Sequence, residues 1–169
     1  MTAQNTGSAI HILDQATVNQ IAAGEVVERP ASVVKELVEN AIDAGARSIR
    51  IDITTSAEGI GSIQVTDDGC GMSPSDAVLA FTPHATSKIL RIEDLNTIHT
   101  LGFRGEALAS IAAVARVTLT TRSREPGIIA GIKVVAEGGK ILQTCDIGVP
   151  QGTSIQVQDL FFNTPARKK

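Results

Sequence analysis

Residues 30–53 read PASVVKELVENAIDAGARSIRIDI and pass from a helical pattern to a strand pattern. In the first part apolar residues recur at helical spacing, and Pro30 fits the first helical turn, where a missing N–H has no partner to lose. Gly45 fits the position after a helix end, because glycine adopts a positive φ at little cost. Apolar and polar residues then alternate, as in a half-buried strand. We therefore predict a helix over residues 30–44 and a strand over residues 48–53.

The rest of the chain places most helical patterns before most strand patterns. A further helix is predicted over residues 14–23, with Asp14 as its N-cap and Gly24 as its stop. Other helices are predicted over residues 73–81 and 105–115, and other strands over residues 63–65, 116–122, 128–136, 140–145 and 154–157. Gly138-Gly139 predicts a tight hairpin. Residues 82–103 lack a clean periodicity, which predicts a long loop with some helical turns. Because helices and strands are segregated rather than alternating, the fold class is predicted to be α+β.

The composition is that of a globular domain. The 169 residues fit one domain that is long enough to bury its own core, and 43% of them are apolar. Trp and Tyr are absent, so the predicted core is aliphatic. The net charge of −3 argues weakly against a constitutive nucleic-acid-binding surface. Cys70 and Cys145 lack metal-ligand spacing and are predicted to be free thiols. Neither a leader sequence nor a stretch of bilayer length is found, which predicts a cytoplasmic protein.

Three polar residues share one stripe of the helix predicted over residues 30–44. Glu36 and Asn40 are four residues apart, and Asp43 follows three residues later, so their side chains project from the same side. Carboxylate and amide oxygens are hard ligands suited to Mg²⁺, and a carboxylate also polarises a water for attack on a phosphate. The alternative is a solvated polar face, and the pattern alone does not separate the two.

A second candidate site is the turn Asp67-x-Gly69-x-Gly71, which follows a predicted strand. Glycines let a ligand approach the backbone closely, and the carboxylate of Asp67 is able to accept a hydrogen bond from an exocyclic amine. The alternative is an ordinary turn rich in Asp and Gly.

A third candidate is the string Leu101-Gly102-Phe103-Arg104-Gly105-Glu106-Ala107-Leu108, which leads into a predicted helix. Backbone N–H groups at a helix N-terminus attract anions, so the string is a candidate phosphate-binding segment. It is neither a Walker A loop nor a Rossmann fingerprint. Upstream, His84-Ala85-Thr86-Ser87-Lys88 offers hydroxyls and a cation, and Gly152-Thr153 opens a later strand. An ordinary loop-to-helix junction, loop or strand start is the alternative in each case.

Taken in order, these segments resemble the four-part ATP site shared by gyrase, a heat-shock chaperone, histidine kinases and the MutL family of DNA mismatch-repair proteins. The resemblance to the MutL family is the close one and extends from Ile12 to the last residue. It also includes the strings Asn19-Gln20-Ile21-Ala22-Ala23-Gly24-Glu25-Val26-Val27-Glu28-Arg29-Pro30, Lys35-Glu36-Leu37-Val38-Glu39-Asn40 and Asn163-Thr164-Pro165-Ala166-Arg167. Chance is a poor explanation for strings of this length and specificity.

The resemblance implies a role for each candidate residue. It implies that Glu36 is the general base that orients water and that Asn40 binds Mg²⁺. It implies that Asp67, in the same turn as Gly71, holds the adenine amino group and that Thr153 supports the adenine end of the pocket. The implied contacts to the phosphates, in a mobile lid, come from Thr86, Ser87, Lys88, Leu101, Gly102, Phe103, Arg104, Gly105, Glu106, Ala107 and Leu108.

The resemblance also implies a fold and a biological role. The implied fold is a two-layer sandwich of a mixed β-sheet with helices on one face, of the Bergerat ATP-binding type, over residues 12–169 behind a flexible tail over residues 1–11. The implied activity is slow, Mg-dependent ATP hydrolysis, used as a conformational switch that couples mismatch recognition to downstream repair enzymes. The implied partners are a mismatch-recognition protein, a repair nuclease or helicase, DNA in the full-length protein and a second copy in an ATP-dependent homodimer. No membrane partner is implied, and the implied location is the bacterial cytoplasm.

Length is the main departure from the family. Members carry a second subdomain whose Lys reaches the γ-phosphate, so this chain is expected to be an N-terminal fragment that is weak or inactive alone. One rival is half of a type II topoisomerase or a histidine kinase. A kinase needs a phospho-accepting His in an upstream helical bundle, and only a short tail precedes Ile12. The other rival is an interaction module that dimerises or holds DNA without hydrolysing ATP.

Overall fold

The computed structural model describes residues 14–57, 59–83, 85 and 106–164, and every structural statement below concerns these residues. In chain order they form α1 (Gln15–Val26), α2 (Pro30–Asp43), β1 (Ile49–Ser56), β2 (Gly59–Asp67), α3 (Pro74–Leu79), α4 (Ala107–Val114), β3 (Arg116–Arg122), β4 (Gly131–Glu137), β5 (Lys140–Ile147) and β6 (Gly152–Gln158). The predicted tail and nearly all of the loop predicted over residues 82–103 lie outside this set. None of the described helices is long and apolar enough to cross a bilayer.

α1 begins as predicted but ends later. The Asp14 carboxylate accepts the Thr17 N–H at 2.9 Å, which makes Asp14 the N-cap. The helix then runs through Gly24 to Val26, so the prediction that Gly24 stops it was wrong. Gly24 is buried, and α1 packs mainly against α4. Tertiary packing of this kind overrides the low helix propensity of glycine, which costs only about 1 kcal/mol.

α2 follows its prediction at both ends. Pro30 lies in the first turn, and Gly45 follows the helix with a φ of +69°. The Gly45 N–H donates to the Ile42 carbonyl at 2.9 Å, which satisfies one of the last carbonyl groups of the helix. The side of the helix that is fully buried consists of Val33, Leu37 and Ala41.

The six strands form one sheet in the order β1-β2-β6-β3-β4-β5. All neighbouring pairs are antiparallel, which corrects the prediction of a mixed sheet for the described strands. Short turns join β1 to β2 and β4 to β5, and only antiparallel neighbours permit such turns. β6 arrives last and inserts between β2 and β3, running opposite to both.

The two faces of the sheet differ in polarity. Two apolar rows cross the central strands on one face, the first formed by Ile63, Val157 and Val117 and the second by Val65, Ile155 and Leu119. Each of these side chains is at most 5% exposed, and α2, α3 and α4 pack against this side of the sheet. On the other face Gln64 Nε2 donates to Ser154 Oγ at 3.0 Å, and the Thr66 hydroxyl lies 2.9 Å from the same oxygen. The predicted α+β sandwich with helices on one face is therefore confirmed.

The predicted strands are all found, most of them with longer bounds. β3 has its predicted bounds, and Gly138-Gly139 forms the β4–β5 hairpin turn with φ values of +57° and +78°. β2 extends far enough that Asp67 is its last residue rather than part of the following turn. β1 is more exposed than a half-buried strand, since Ile51 and Ile53 are 44% and 52% exposed. The reason is that β1 is an edge strand and α2 packs on β2 instead.

Candidate functional site

A third row on the helix-facing side of the sheet is polar. Asp67 of β2, Thr153 of β6 and Thr121 of β3 are direct cross-strand partners, one row beyond the second apolar row. We call these three residues the polar row. Thr121 is fully buried, Thr153 is 8% exposed and Asp67 is half-buried. Burying a polar group costs free energy unless the group is hydrogen-bonded. The hydrogen-bond partners of the polar row therefore define a candidate site.

The Asp67 carboxylate is held in partly dehydrated surroundings. Its Oδ1 accepts the Gly69 N–H at 2.8 Å. Burial raises the pKa of the Asp67 carboxyl above its ordinary value of 3.8, and the charge of Asp68 raises it further, while the Gly69 and Thr153 N–H groups oppose the rise. Such a carboxylate keeps oxygen lone pairs for a further donor, and a hydrogen bond made there is stronger than one made in water.

The glycines of the turn after Asp67 are required by the backbone of the protein itself. A Cβ on Gly71, whose φ is +66°, would collide with the Arg122 carbonyl oxygen. A Cβ on Gly69 would lie 2.8 Å from the Ala44 Cβ. The sequence pattern predicts that these glycines let a ligand approach the backbone, and this stays a prediction. The structure shows that these glycines let the turn fit between the end of α2 and the end of β3.

Thr121 was not predicted as a site residue, yet its hydroxyl joins the parts of the site. Its Oγ1 accepts the Met72 N–H at 3.0 Å and lies 2.9 Å from the Gly152 carbonyl oxygen and 3.0 Å from the Thr153 hydroxyl. It therefore connects the chain after the turn to the start of β6. The sequence did carry a signal: Thr121 is a polar residue at an inward position of an alternating strand, where the two preceding inward positions are apolar.

α2 brings its polar stripe to the strand that carries Asp67. The helix packs on β2 through its buried side, and Glu36 and Asn40 lie half-buried beside that side. At the end of the helix the Ala44 carbonyl accepts the Cys70 N–H at 2.9 Å, which holds the turn against α2. The structure thus places the predicted metal-binding helix and the predicted base-binding turn side by side.

The candidate phosphate segment is described only at its end. Glu106 is the N-cap of α4 and Ala107 is its first residue, and both are half-buried. The Leu108 side chain is buried in the core. The other predicted phosphate contacts lie outside the described residues and stay predictions: Thr86, Ser87, Lys88, Leu101, Gly102, Phe103, Arg104 and Gly105.

Comparison with known proteins places most of this site within one family. A family model described as "Histidine kinase-, DNA gyrase B-, and HSP90-like ATPase" matches residues 28–145. The chain belongs to this ATPase family. The matched range contains Glu36, Asn40, Asp67 and Gly71, whereas Thr153 lies beyond it.

Curated relatives carry the name DNA mismatch repair protein MutL. The protein from Methanoculleus marisnigri is 63% identical over 160 residues, which are 95% of this chain and 27% of that protein. The protein from Caldanaerobacter subterraneus subsp. tengcongensis is 62% identical over 160 residues, which are 95% of this chain and 26% of that protein. The chain therefore spans about a quarter of the length of the curated relatives it matches.

Solved structures show the same similarity in three dimensions. The N-terminal domain of a DNA repair protein superposes with a TM-score of 0.70 at 34% identity, covering 93% of this chain and 44% of that chain. The Aquifex aeolicus MutL ATPase domain complexed with ADP superposes with a TM-score of 0.61 at 34% identity, covering 85% of this chain and 47% of that chain.

Sequence and structure thus confirm the predicted resemblance to MutL ATPase domains, and with it the predicted ATPase class. The structure places the Asp67 turn beside Thr153 and against the C-terminal end of α2, the helix that carries Glu36 and Asn40. The role of each site residue remains a prediction.

Proposed function

We propose that this chain binds ATP beside the polar row and that the full-length protein hydrolyses it slowly with Mg²⁺. We further propose that the full-length protein uses this ATP cycle as a conformational switch in DNA mismatch repair. The observation that carries the proposal is the polar row itself, which ends an otherwise apolar sheet face next to α2 in a chain of an ATPase family.

Base recognition is the proposed role of Asp67 and Thr153. Adenine has an exocyclic amine that donates hydrogen bonds, and the Asp67 carboxylate accepts them. The carboxylate is already oriented by the Gly69 N–H at 2.8 Å, so it loses little freedom when a ligand binds. A hydrogen bond to a charged group contributes roughly 1.5–3 kcal/mol, which corresponds to about 10- to 150-fold in affinity.

Phosphate chemistry is the proposed role of α2. Asn40 supplies an amide oxygen suited to Mg²⁺, and Glu36, one turn earlier on the same stripe, orients the attacking water and accepts its proton. When bound, Mg²⁺ neutralises charge on the phosphates. The buried side of α2 fixes the helix on β2, so both side chains are held in place by the core. Thr86, Ser87, Lys88 and residues 101–108 are proposed to cover the phosphates.

The proposed role in repair is supported by the relatives. Proteins that are over 60% identical to this chain across 160 aligned residues are named DNA mismatch repair proteins, and a MutL ATPase domain of the same fold is complexed with ADP. We propose that the full-length protein acts in the cytoplasm with a mismatch-recognition protein, a downstream nuclease or helicase, DNA and a second copy of itself. ATP-dependent dimerisation is the proposed output of the switch.

Calorimetric titration of this chain with Mg-ATP tests the nucleotide site. The wild-type chain is expected to bind, and Asp67→Asn is expected to weaken affinity by about 10- to 150-fold, because an amide N–H replaces one of the acceptor oxygens facing the amine. Asp68→Asn is the matched control: it removes the same charge from the adjacent residue and is expected to keep the affinity. A wild-type chain that binds no nucleotide refutes the proposal, and equal affinities for Asp67→Asn and Asp68→Asn remove Asp67 from base recognition.

A further inference from the structure

The three contacts of the Thr121 hydroxyl determine the direction of each hydrogen atom. The Met72 N–H only donates, and the Gly152 carbonyl only accepts. Thr121 has a single hydrogen, so that hydrogen goes to Gly152, 2.9 Å away. The remaining contact, 3.0 Å from Thr153, then requires the hydrogen of the Thr153 hydroxyl. No other assignment satisfies all three contacts, and an unmade bond at a fully buried hydroxyl is costly.

This assignment leaves Thr153 without a hydrogen for a ligand. Its hydroxyl oxygen retains lone pairs alone, so it acts as an acceptor. Its cross-strand neighbour in the polar row is Asp67, whose carboxylate is also an acceptor when ionised. The end of the site assigned to the base thus presents only acceptor oxygens from these two side chains.

We propose that Thr121 is a positioning residue for base selectivity: by holding Thr153 as an acceptor, it makes the site favour purines with a 6-amino group over purines with a 6-oxo group. This inference rests on the proposed binding of ATP at the polar row. Any group of the base that meets the Thr153 oxygen directly has to donate a hydrogen bond. A 6-oxo purine turns a carbonyl oxygen toward these acceptors, and opposed lone pairs repel.

Two substitutions at Thr121 separate positioning from packing. Thr121→Val removes the hydroxyl while keeping the branched shape, so the Thr153 hydrogen is released and is able to face the ligand. Thr121→Ser keeps the hydroxyl and is the matched control. The dissociation constants of ATP and of inosine triphosphate, which carries a 6-oxo base, are measured by calorimetry for the wild-type chain and both variants. The ratio of the two constants is the readout.

We expect the wild-type chain to bind ATP more tightly than inosine triphosphate. Thr121→Val should reduce this preference by about 10-fold, whereas Thr121→Ser should keep it. If Thr121→Val weakens the affinity for both nucleotides equally, Thr121 has only a structural role and the inference is overturned.

If Thr121→Val does not fold, Thr153→Val is measured instead. Removal of the acceptor must also reduce the preference for ATP, and an unchanged ratio of dissociation constants overturns the inference. A wild-type chain that binds neither nucleotide refutes the proposed function itself, whereas normal ATP binding with an unmoved ratio refutes only the role of Thr121.

Discussion

Asp67 and Asp68 are adjacent in sequence, but the pKa values of their carboxyl groups shift in opposite directions. Burial raises the pKa of Asp67, which faces the core at the end of β2. The N–H groups of Ser48 and Arg47 donate to Asp68 Oδ1 at 2.9 and 2.7 Å and lower the pKa of that carboxyl. Successive side chains of extended backbone point to opposite sides, which explains how neighbours enter such different surroundings. One carboxylate is available to a ligand, and the other ties β2 to the start of β1.

These opposite shifts predict opposite pH dependences for two substitutions. The folded pKa of Asp68 lies below its ordinary value of 3.8, so its stabilisation is complete above that value and is lost as pH falls through the folded pKa. The stability advantage of the wild-type chain over Asp68→Asn therefore shrinks in acid. The folded pKa of Asp67 lies above 3.8, so the ionised form reduces stability above the folded pKa, and this cost disappears as pH falls. The stability of the wild-type chain relative to Asp67→Asn therefore rises as pH falls.

Urea unfolding of the wild-type chain, Asp67→Asn and Asp68→Asn from about pH 7 to about pH 3 gives the free energies of unfolding that check these pH dependences. The two wild-type-minus-variant differences must change in opposite directions. If both fall together in acid, the assignment of burial as the dominant effect at Asp67 is wrong.

Helix α2 combines a buried face that packs on the sheet with a stripe of polar residues proposed to carry the chemistry. Val33, Leu37 and Ala41 are buried, while Glu36 and Asn40 occupy the half-buried border of that face. Because the buried face sets the rotation of the helix on β2, it also sets the direction of the stripe. Substitutions on the stripe should therefore change chemistry without unfolding the helix.

Substitutions at two residues of the stripe, Glu36 and Asn40, are predicted to have different effects. Glu36→Gln should keep Mg-ATP affinity and lower the hydrolysis rate by about 10²- to 10⁴-fold, the usual contribution of a general base. Asn40→Ala should weaken Mg-dependent nucleotide binding itself, because a metal ligand is lost. Affinity by calorimetry and single-turnover hydrolysis in the full-length protein separate these effects. Half-buried Glu39 on the same helix, paired with Lys35 at 3.7 Å, is the control: Glu39→Gln should change neither quantity. A Glu36→Gln protein that hydrolyses ATP at the wild-type rate requires another base.

One hydrophobic cluster of the described residues lies between the helices and the central strands. Leu119 is fully buried in the second apolar row, whereas Leu142 on edge strand β5 is 57% exposed. Leu119→Ala is expected to lower the free energy of unfolding by about 2–5 kcal/mol, because it removes buried methyl groups and leaves a cavity. Leu142→Ala, the same chemical change, should lower it by less than about 0.5 kcal/mol. Equal losses in chemical denaturation would show that the core does not extend through β3 as described.

Features that depend on neighbouring residues can be predicted from the amino-acid sequence alone. The Asp14 N-cap, the bounds of α2 between Pro30 and Gly45, and the Gly138-Gly139 hairpin are all set by local conformational preferences, and the structure contains them. The alternation of β3 similarly indicates which of its side chains face inward. The family could also be identified from the sequence, because its motifs are continuous strings whose order along the chain does not depend on the fold.

The contacts between distant segments, in contrast, depend on how the whole chain folds. The insertion of β6 between β2 and β3 creates the polar row, and strand propensity carries no information about which strands pair. The same holds for Thr121, whose role depends on partners 31, 32 and 49 residues away. The end of α4 is a third case: the carbonyls of its last turn accept hydrogen bonds from the Gly139 N–H, the Asn163 side chain and the Phe161 N–H. Hydrogen-bonding groups in the interior must find partners wherever the chain brings them, and those partners are chosen by packing rather than by sequence separation.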